Sequence, residues 1–408
     1  SGLYPALFLS SVRLTTALKG EQAVSTKKWN FRSILVSFQY FVTISLIFSI
    51  VIVEGQLQFI RNSDPGYKRD HIVRMNLPRD FNKETFKNDL LTNPNVLKAS
   101  YSSRIPTGRL NDNWGTRYFQ GDSLVESDFR LSVVSVDPDF LDTYEIDLIS
   151  GKNFNESMLT VLDFDTIVNS HYIINETAAK AFGHQDPAEI VGEKIEYGVT
   201  EGRVIGVVED FHFESLHQEI EPILLIYQDN FRGISLKIHP SNVQESLNYI
   251  EETFTKYESV TRPEYNFVDE LFERQYLKEE ISSDLIKVFA AIAILISCLG
   301  LIGMVGFVIE TKMKEIGVRK VLGASTSAIW KIIGNRFFVL ILIASIIALP
   351  IMYFLMTEWL NGFQYRIDIS FFNVFAPVLI IFLITILTIS YQLIKASNVN
   401  PVECLKDE

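Results

Sequence analysis

Residues 288–325 read VFAAIAILISCLGLIGMVGFVIETKMKEIGVRKVLGAS. The first part, Val288–Ile309, carries no charged residue over 22 positions, whereas Glu310–Ser325 carries four basic and two acidic ones. At 1.5 Å per residue the apolar part reaches about 33 Å as a helix, enough to cross a hydrocarbon core of about 30 Å. Three further stretches share this property: Ser33–Val53, Phe337–Thr357 and Ile369–Ile394. One such run fits a buried helix of a large soluble protein. Four in one chain, three of them near the C-terminus, predict four transmembrane helices.

The charged part has its own pattern. Lys312, Glu315 and Arg319 fall at +3 and +4, one stripe of a short helix, and Met313, Ile316 and Lys320 make a neighbouring stripe. Gly323 is a helix stop and Ser325 a cap for the next helix. On composition alone this is a basic loop at a membrane surface, touching lipid phosphates.

Lys and Arg in the short flanks set the topology. Residues 10–32 hold five (Arg13, Lys19, Lys27, Lys28, Arg32), and the loop 310–336 holds six. The loop 358–368 holds only Arg366, beside Glu358 and Asp368. The positive-inside rule places the first two in the cytoplasm and the third outside. Both terminal segments are then cytoplasmic, and the polar region between the first two spans lies outside. That region, residues 54–284, has 22 Lys plus Arg against 41 Asp plus Glu, a net −19, more than the −12 of the whole chain.

Composition excludes several classes. With 48% hydrophobic residues in 408, the chain is not disordered. Two Cys, Cys298 and Cys404, make no disulfide framework, and neither lies in the exported region. The acidic balance argues against a protein that coats nucleic acid. No G-x-x-x-x-G-K-[ST], H-E-x-x-H, C-x-x-C or G-x-S-x-G motif occurs, so the sequence points to neither an enzyme nor a cofactor site. The nearest metal-like cluster is Asp210, His212, Glu214 and His217 in VEDFHFESLH. Its His spacing of five does not stack two ligands on one helical face, so it reads as a structural loop after the strand Val204–Val208.

The outer region starts and ends on strand–helix–strand units. His71–Leu77 reads as a strand, Asn82 caps a helix Lys83–Leu91, and a strand Val96–Ser102 follows. Near the other end, a strand Ile234–Ile238 precedes a Ser241/Gln244 capping box. An amphipathic helix carrying Val243, Leu247, Ile250, Phe254 and Tyr257 follows, then a strand near Tyr265–Val268. Between the two units, about 130–227, short strands (Leu131–Val136, Ile173–Ile174, Val204–Val208, Ile223–Ile226) and a helix Thr177–Phe182 stopped by Gly183 read as an inserted subdomain.

The membrane helices extend outward. No strong breaker follows Val53 until Asp64-Pro65-Gly66, so a helix Asn30–Asn62 reaches about 50 Å. No Pro or Gly occurs between Glu264 and Leu299, and Val268, Leu271, Phe272 and Tyr276 form an apolar stripe there. Two long helices would form a stalk. The chain begins SGLYPALFLS, like the cytoplasmic end of an earlier membrane helix, and Ser10–Lys19 matches Ser397–Lys406 at four of ten positions. Both features fit the C-terminal half of a duplicated permease.

The stretch KEIGVRKVLGAS resembles the loop after the second span of FtsX/MacB-type ABC transporter permeases, at Glu315, Ile316, Gly317, Arg319, Gly323 and Ala324. VDPDFLDTYEIDLISGKNF, YIINETAAKAFG, VIGVVEDFHFESLH, SGLYPALFLS and NPVECLK are similar to the same family, especially its Bacteroidota-like members. The resemblance implies a fold class: an α-helical membrane protein with four transmembrane helices plus a large α/β extracytoplasmic domain, made of a βαβ-containing porter-like part and an inserted second subdomain. The divisions expected are a remnant of the preceding repeat with linker (1–29), first span and stalk (30–64), a MacB-like core (65–262), and stalk with second span (263–309). A coupling loop (310–336), a third span (337–357), an outer loop (358–368), a fourth span (369–394) and a cytoplasmic tail (395–408) complete them.

The resemblance further implies a permease in the bacterial inner membrane that couples ATP hydrolysis by a separate cytoplasmic ABC ATPase to movements of the periplasmic domain. Lys312, Glu315, Ile316, Gly317, Arg319, Lys320, Gly323 and Ala324 would form the ATPase interface. The expected partners are that ATPase, the first half of the same permease or a second copy, the lipid bilayer, and a periplasmic or outer-membrane protein. No nucleic acid is expected. The competing reading is a membrane-anchored sensor that recruits a cytoplasmic partner.

Overall fold

The computed structural model describes residues 31–78, 82–110, 113–120, 123–161, 168–198, 200–258, 262–321 and 326–397. SGLYPALFLS, nearly all of the internal echo and Cys404 lie outside the described residues. The chain runs through helix α1 (Phe31–Asn62), strand β1 (Ile72–Asn76), helix α2 (Lys83–Leu91) and strand β2 (Val96–Ser102). A hairpin of β3 (Asn113–Gln120) and β4 (Ser123–Ser135) follows, then α3 (Phe140–Tyr144) and β5 (Leu148–Gly151). Next come β6 (Val168–Asn175), α4 (Glu176–Ala181), β7 (Lys194–Tyr197), β8 (Thr200–Val208) and β9 (Ile223–Ile226). β10 (Gly233–Ile238), α5 (Val243–Tyr257), β11 (Tyr265–Phe267) and α6 (Val268–Arg274) lead into α7 (Leu277–Val321), α8 (Thr326–Leu360) and α9 (Phe371–Ser397).

The chain divides into two compact units. One comprises Ser49–Lys287 with Tyr353–Ser370; the other holds the remaining membrane-helix residues. In the first, β1, α2, β2 and β10, α5, β11 do not form two separate units side by side. They interleave into one antiparallel sheet of order β11-β1-β10-β2. This is the split βαβ arrangement, and neither half of the sheet is complete alone. Gly233 pairs with Ser102, so the excursion between β2 and β10 leaves and returns at adjacent points, which is how the sheet accommodates it. Phe86 and Leu90 of α2 and Leu247, Ile250 and Phe254 of α5 bury against this sheet, with Phe86 edge-on to Phe254.

The excursion builds a second sheet. β8, β6, β9, β4, β3 and β7 each pair with the next, and β7 pairs back to β8, closing a six-stranded barrel. β5 adds to β8 outside the ring. Closure leaves those six strands without a free edge. α4 packs on the barrel through Ala178 and Ala179. Its cap is Asn175, whose Oδ1 accepts from Ala178 N and Ile223 N, and Gly183 ends it at φ +96°.

Three sequence expectations need correction. The barrel begins at Asn113, not near Arg130: β3 precedes that point and pairs with both β4 and β7. The Ser241/Gln244 capping box does not form. His239 accepts from Ser241 N at the start of a 3-10 turn, and Gln244 bonds Asn248 instead. The second stalk approach is also broken, at Gln275–Tyr276 between α6 and α7. There the Tyr276 hydroxyl oxygen accepts from Leu216 N at 2.9 Å, a tertiary tie that no local pattern announces.

The membrane unit draws on four helices long and apolar enough to cross a bilayer: Arg32–Asn62, Leu277–Lys312, Ile333–Leu360 and Phe371–Ile394. Val36, Tyr40, Ile44 and Phe48 recur every four residues on α1 and are buried. Polar side chains join the helices. Thr43 Oγ1 lies 2.9 Å from Ser297 Oγ, and Thr385 Oγ1 donates to Tyr40 Oη at 3.2 Å. Arg336 donates to Ser33, and the Arg32 guanidinium sits 4.0 Å over the Phe307 ring. Such bonds count where no water competes.

Candidate coupling site

The segment expected to couple, from Glu310 onward, is not a loop after the second span. α7 continues through it without a break to Val321, 45 residues in all. Nothing in Glu310–Val321 interrupts the i→i−4 ladder: Gly317 is the only glycine, and no proline occurs. Thr311 Oγ1 bonds back to the Phe307 carbonyl at 2.9 Å, and Lys312 Nζ pairs with Glu315 at 3.5 Å, both ends being exposed. Ile316, Gly317, Arg319 and Lys320 lie on the last turns of this helix by backbone. Gly323 and Ala324 lie outside the described residues, and α8 starts at Thr326. Six of the eight sequence-predicted residues are thus on one helix end.

The other end of α7 is tied to α1. Lys287 Nζ and Ser283 Oγ both reach Glu54 Oε1, at 2.6 and 2.5 Å, and Arg61 pairs with Glu280. Beneath these polar ties Val53, Leu57, Ile60, Phe272 and Tyr276 form a buried cluster. The stripe read from Val268, Phe272 and Tyr276 is therefore a packed face.

VEDFHFESLH holds four polar side chains that part company. Asp210 accepts from Thr177 N and Thr177 Oγ1, both at 2.8 Å. Glu214 accepts from Leu110 N. The His212 ring meets Tyr365 edge-on, and His217 stacks between Tyr276 and Phe363, with Nε2 3.5 Å from Glu279. Burial holds both imidazoles below the usual histidine value, against the pull of Asp210 on His212 and of Glu279 on His217. Four donors with four different partners do not converge on an ion, and the described residues contain no metal-holding group of His, Cys, Asp or Glu. The sequence reading missed Gln56 and the segment 359–367. The available signal was three aromatics, Trp359, Phe363 and Tyr365, in a connection too short to need them.

Two family models match the sequence: MacB-like periplasmic core domain over residues 42–248, and FtsX-like permease C-terminal over residues 287–401. A comparison with curated proteins finds no match. Among solved structures the chain is similar to the extracellular domain of the noncanonic ABC-type transporter YknZ from Gram-positive bacteria. The identity is 14%, covering 48% of this chain and 98% of that one, with a TM-score of 0.32. It is also similar to the periplasmic region of MacB from Actinobacillus actinomycetemcomitans (15% identity, 54% of this chain and 97% of that one, TM-score 0.36). A domain of a Porphyromonas gingivalis protein described as a permease aligns at 15% identity, over 48% of this chain and 89% of that one, with a TM-score of 0.32. With the core-domain model covering half of its length and the FtsX-like model following it, the chain belongs to the FtsX/MacB family of ABC transporter permeases, as a membrane subunit with a MacB-like extracellular domain.

Proposed function

We propose that this permease transmits motion: a separate cytoplasmic ABC ATPase binds at Lys312, Glu315, Ile316, Gly317, Arg319, Lys320, Gly323 and Ala324, and its cycle moves the extracellular domain. The observation that carries this reading is α7, one helix from the stalk at Leu277 to the basic segment at Val321. A continuous hydrogen-bonded ladder passes displacement along its axis better than a jointed one. The four stretches hold no Asp, Glu, Lys, Arg or His with which to couple an ion gradient, which suits movement rather than ion flow.

The basic flanks support a reading in which the coupling segment faces the cytoplasm and the domain lies on the opposite side, the periplasm if the membrane is a bacterial inner membrane. A first permease half or a second copy completes the complex, and the net −19 of residues 54–284 steers a basic periplasmic or outer-membrane partner or cargo.

Cross-linking in native membranes identifies the ATPase, and reconstitution then tests the site. Arg319→Glu reverses one charge on the coupling face. It should reduce permease-stimulated ATP hydrolysis at least tenfold while membrane insertion stays normal. Hydrolysis equal to wild type, with the same ATPase bound, would refute the coupling role.

A further inference from the structure

The connection between α8 and α9 is packed unlike a solvated turn. Leu360 and Phe363 are buried, and Trp359 and Tyr365 pack onto the stalk cluster of Val53, Leu57, Ile60 and Tyr276. Gln56 of α1, with 0% of its surface exposed, makes two hydrogen bonds to the main chain of this connection. Its Nε2 donates to the Tyr365 carbonyl and its Oε1 accepts from Ile367 N, each at 2.9 Å. This is the double pairing a neighbouring strand would offer, made by one side chain, so it reads backbone position rather than residue type. At the adjacent Gly55 a Cβ would come to 3.0 Å from Ile367 Cδ1, so the connection lies directly on the helix.

Its other side meets the loop 209–221. Tyr365 N donates to the Leu216 carbonyl at 3.3 Å, and Gln364 Nε2 donates to Glu219 at 2.9 Å. Phe363 stacks on His217 with ring centres 4.1 Å apart, and Tyr365 meets His212 at 4.6 Å. That loop is itself anchored on separate elements. Asp210 holds the first turn of α4 on the barrel, Glu214 holds Leu110, and His212 N donates to Pro65 O at 2.7 Å just past the end of α1.

A path therefore runs from the outer ends of the third and fourth membrane helices, through segment 359–367 and loop 209–221, to the barrel. We propose that segment 359–367 is a force-bearing strap that positions the barrel subdomain directly, in parallel with the two stalk helices, with Gln56 as its fastening. The proposal extends the motion-transmitting reading, which supplies what drives the strap. The polar residues of VEDFHFESLH then have a use without a metal: each fixes the loop to one of the elements it must move.

The test measures how firmly the barrel is held, on the full chain in phosphatidylethanolamine–phosphatidylglycerol vesicles. Nitroxides are placed at Gln185→Cys on the exposed barrel side and at Leu285→Cys, an exposed stalk position, with Cys298→Ser and Cys404→Ser. Dipolar spectroscopy on the intact strap should give one narrow distance population. Gln56→Leu, which leaves the Tyr365 carbonyl and Ile367 N without this partner, should widen it at least twofold with unchanged helix content by circular dichroism. A Gly-Gly-Ser insertion after Asn361 slackens the strap without touching Gln56 and should do the same; it decides the question if Gln56→Leu does not fold. An unchanged width when the strap is loosened would leave the stalk in sole control and overturn the proposal. The measurement needs no nucleotide, so failure of the ATPase reading cannot be mistaken for failure of the strap.

Discussion

Asp137 offers a quantitative test of how the two sheets of the extracellular domain are fastened. Lys87 of α2, on the interleaved sheet, reaches the turn before α3, with Nζ 2.6 Å from Asp137 Oδ2, and pairs also with Asp139. The Asp137 side chain is only 6% exposed, and its Oδ1 has no hydrogen-bond partner. Burial pushes this carboxyl from the ordinary 3.8 up to about 6, with the Lys87 ammonium pulling the other way. The folded protein thus holds the Asp137 proton more tightly than the unfolded chain does. The stability contributed by that proton is fully present below about pH 4 and is lost as pH rises through about 6. A shift of roughly two units corresponds to about 3 kcal/mol. Asp137→Asn keeps the shape and removes the titration, adding a pH-independent offset from the lost charge pair. The free energy of unfolding of the variant minus that of wild type should therefore rise by about 3 kcal/mol from pH 4 to pH 8. Urea titrations followed by circular dichroism, on both proteins in one detergent, measure it. A difference that stays constant across that range would refute the reasoning, and would mean that Asp137 ionises in the folded state as easily as in water.

Two further outcomes follow from local geometry. Gly151 sits at φ +81°, and a Cβ there would overlap the Ile205 carbonyl oxygen, a backbone atom that cannot swing aside. Gly151→Ala should cost well over 1 kcal/mol and lower the thermal midpoint of the extracellular domain, and an unaltered midpoint would contradict it. In the membrane, Thr43 Oγ1 donates to the Gln39 carbonyl, so the bond shared with Ser297 is donated by Ser297. Thr43→Val should cost about 0.6 kcal/mol in a detergent-unfolding titration, with little further loss on adding Ser297→Ala; full additivity would show that the two hydroxyls act independently.

The features legible in the sequence are those set by local pattern. Charge-free runs of twenty or more residues gave the spans, because a bilayer demands length and apolarity and little else. Val96–Ser102 and Ile223–Ile226 were readable as strands, and Asn82 as a cap, because each depends on neighbours in the chain. What escaped depends on partners far away. β10 enters between β1 and β2 only when the whole sheet assembles, so the interleaving leaves no local trace. β3, NWGTRYFQ, shows no strict apolar–polar alternation and becomes a strand because β4 and β7 supply its hydrogen bonds. Gln56 stands beside Glu54 and Gln58 on α1 with nothing local to set it apart, and its hydrogen-bond partners lie more than 300 positions away in the chain. The coupling residues were named from a motif, and the helix that carries six of them proved longer than the motif implied.

That length bears on why a strap is needed. α7 joins the two segments that stood out in the sequence: Tyr276, just before it, and Glu279, at its outer end, meet loop 209–221, and Lys312 to Lys320 lie at its inner end. At 1.5 Å per residue its 45 residues measure about 66 Å. Helices of such length curve, with radii of roughly 60–100 Å. A shaft as long as its own natural radius of curvature absorbs part of any displacement by bending, and its far end then follows the near end imprecisely. The ties of Glu54 to Lys287 and Ser283 and of Arg61 to Glu280 shorten the unsupported part by pairing α7 with α1. They brace the shaft but do not fix the barrel, which is attached beyond them through loop 209–221. The strap reaches that loop from a different pair of membrane helices. A body held by a braced shaft and a separate strap follows tilt as well as translation, where a shaft alone would let it swing.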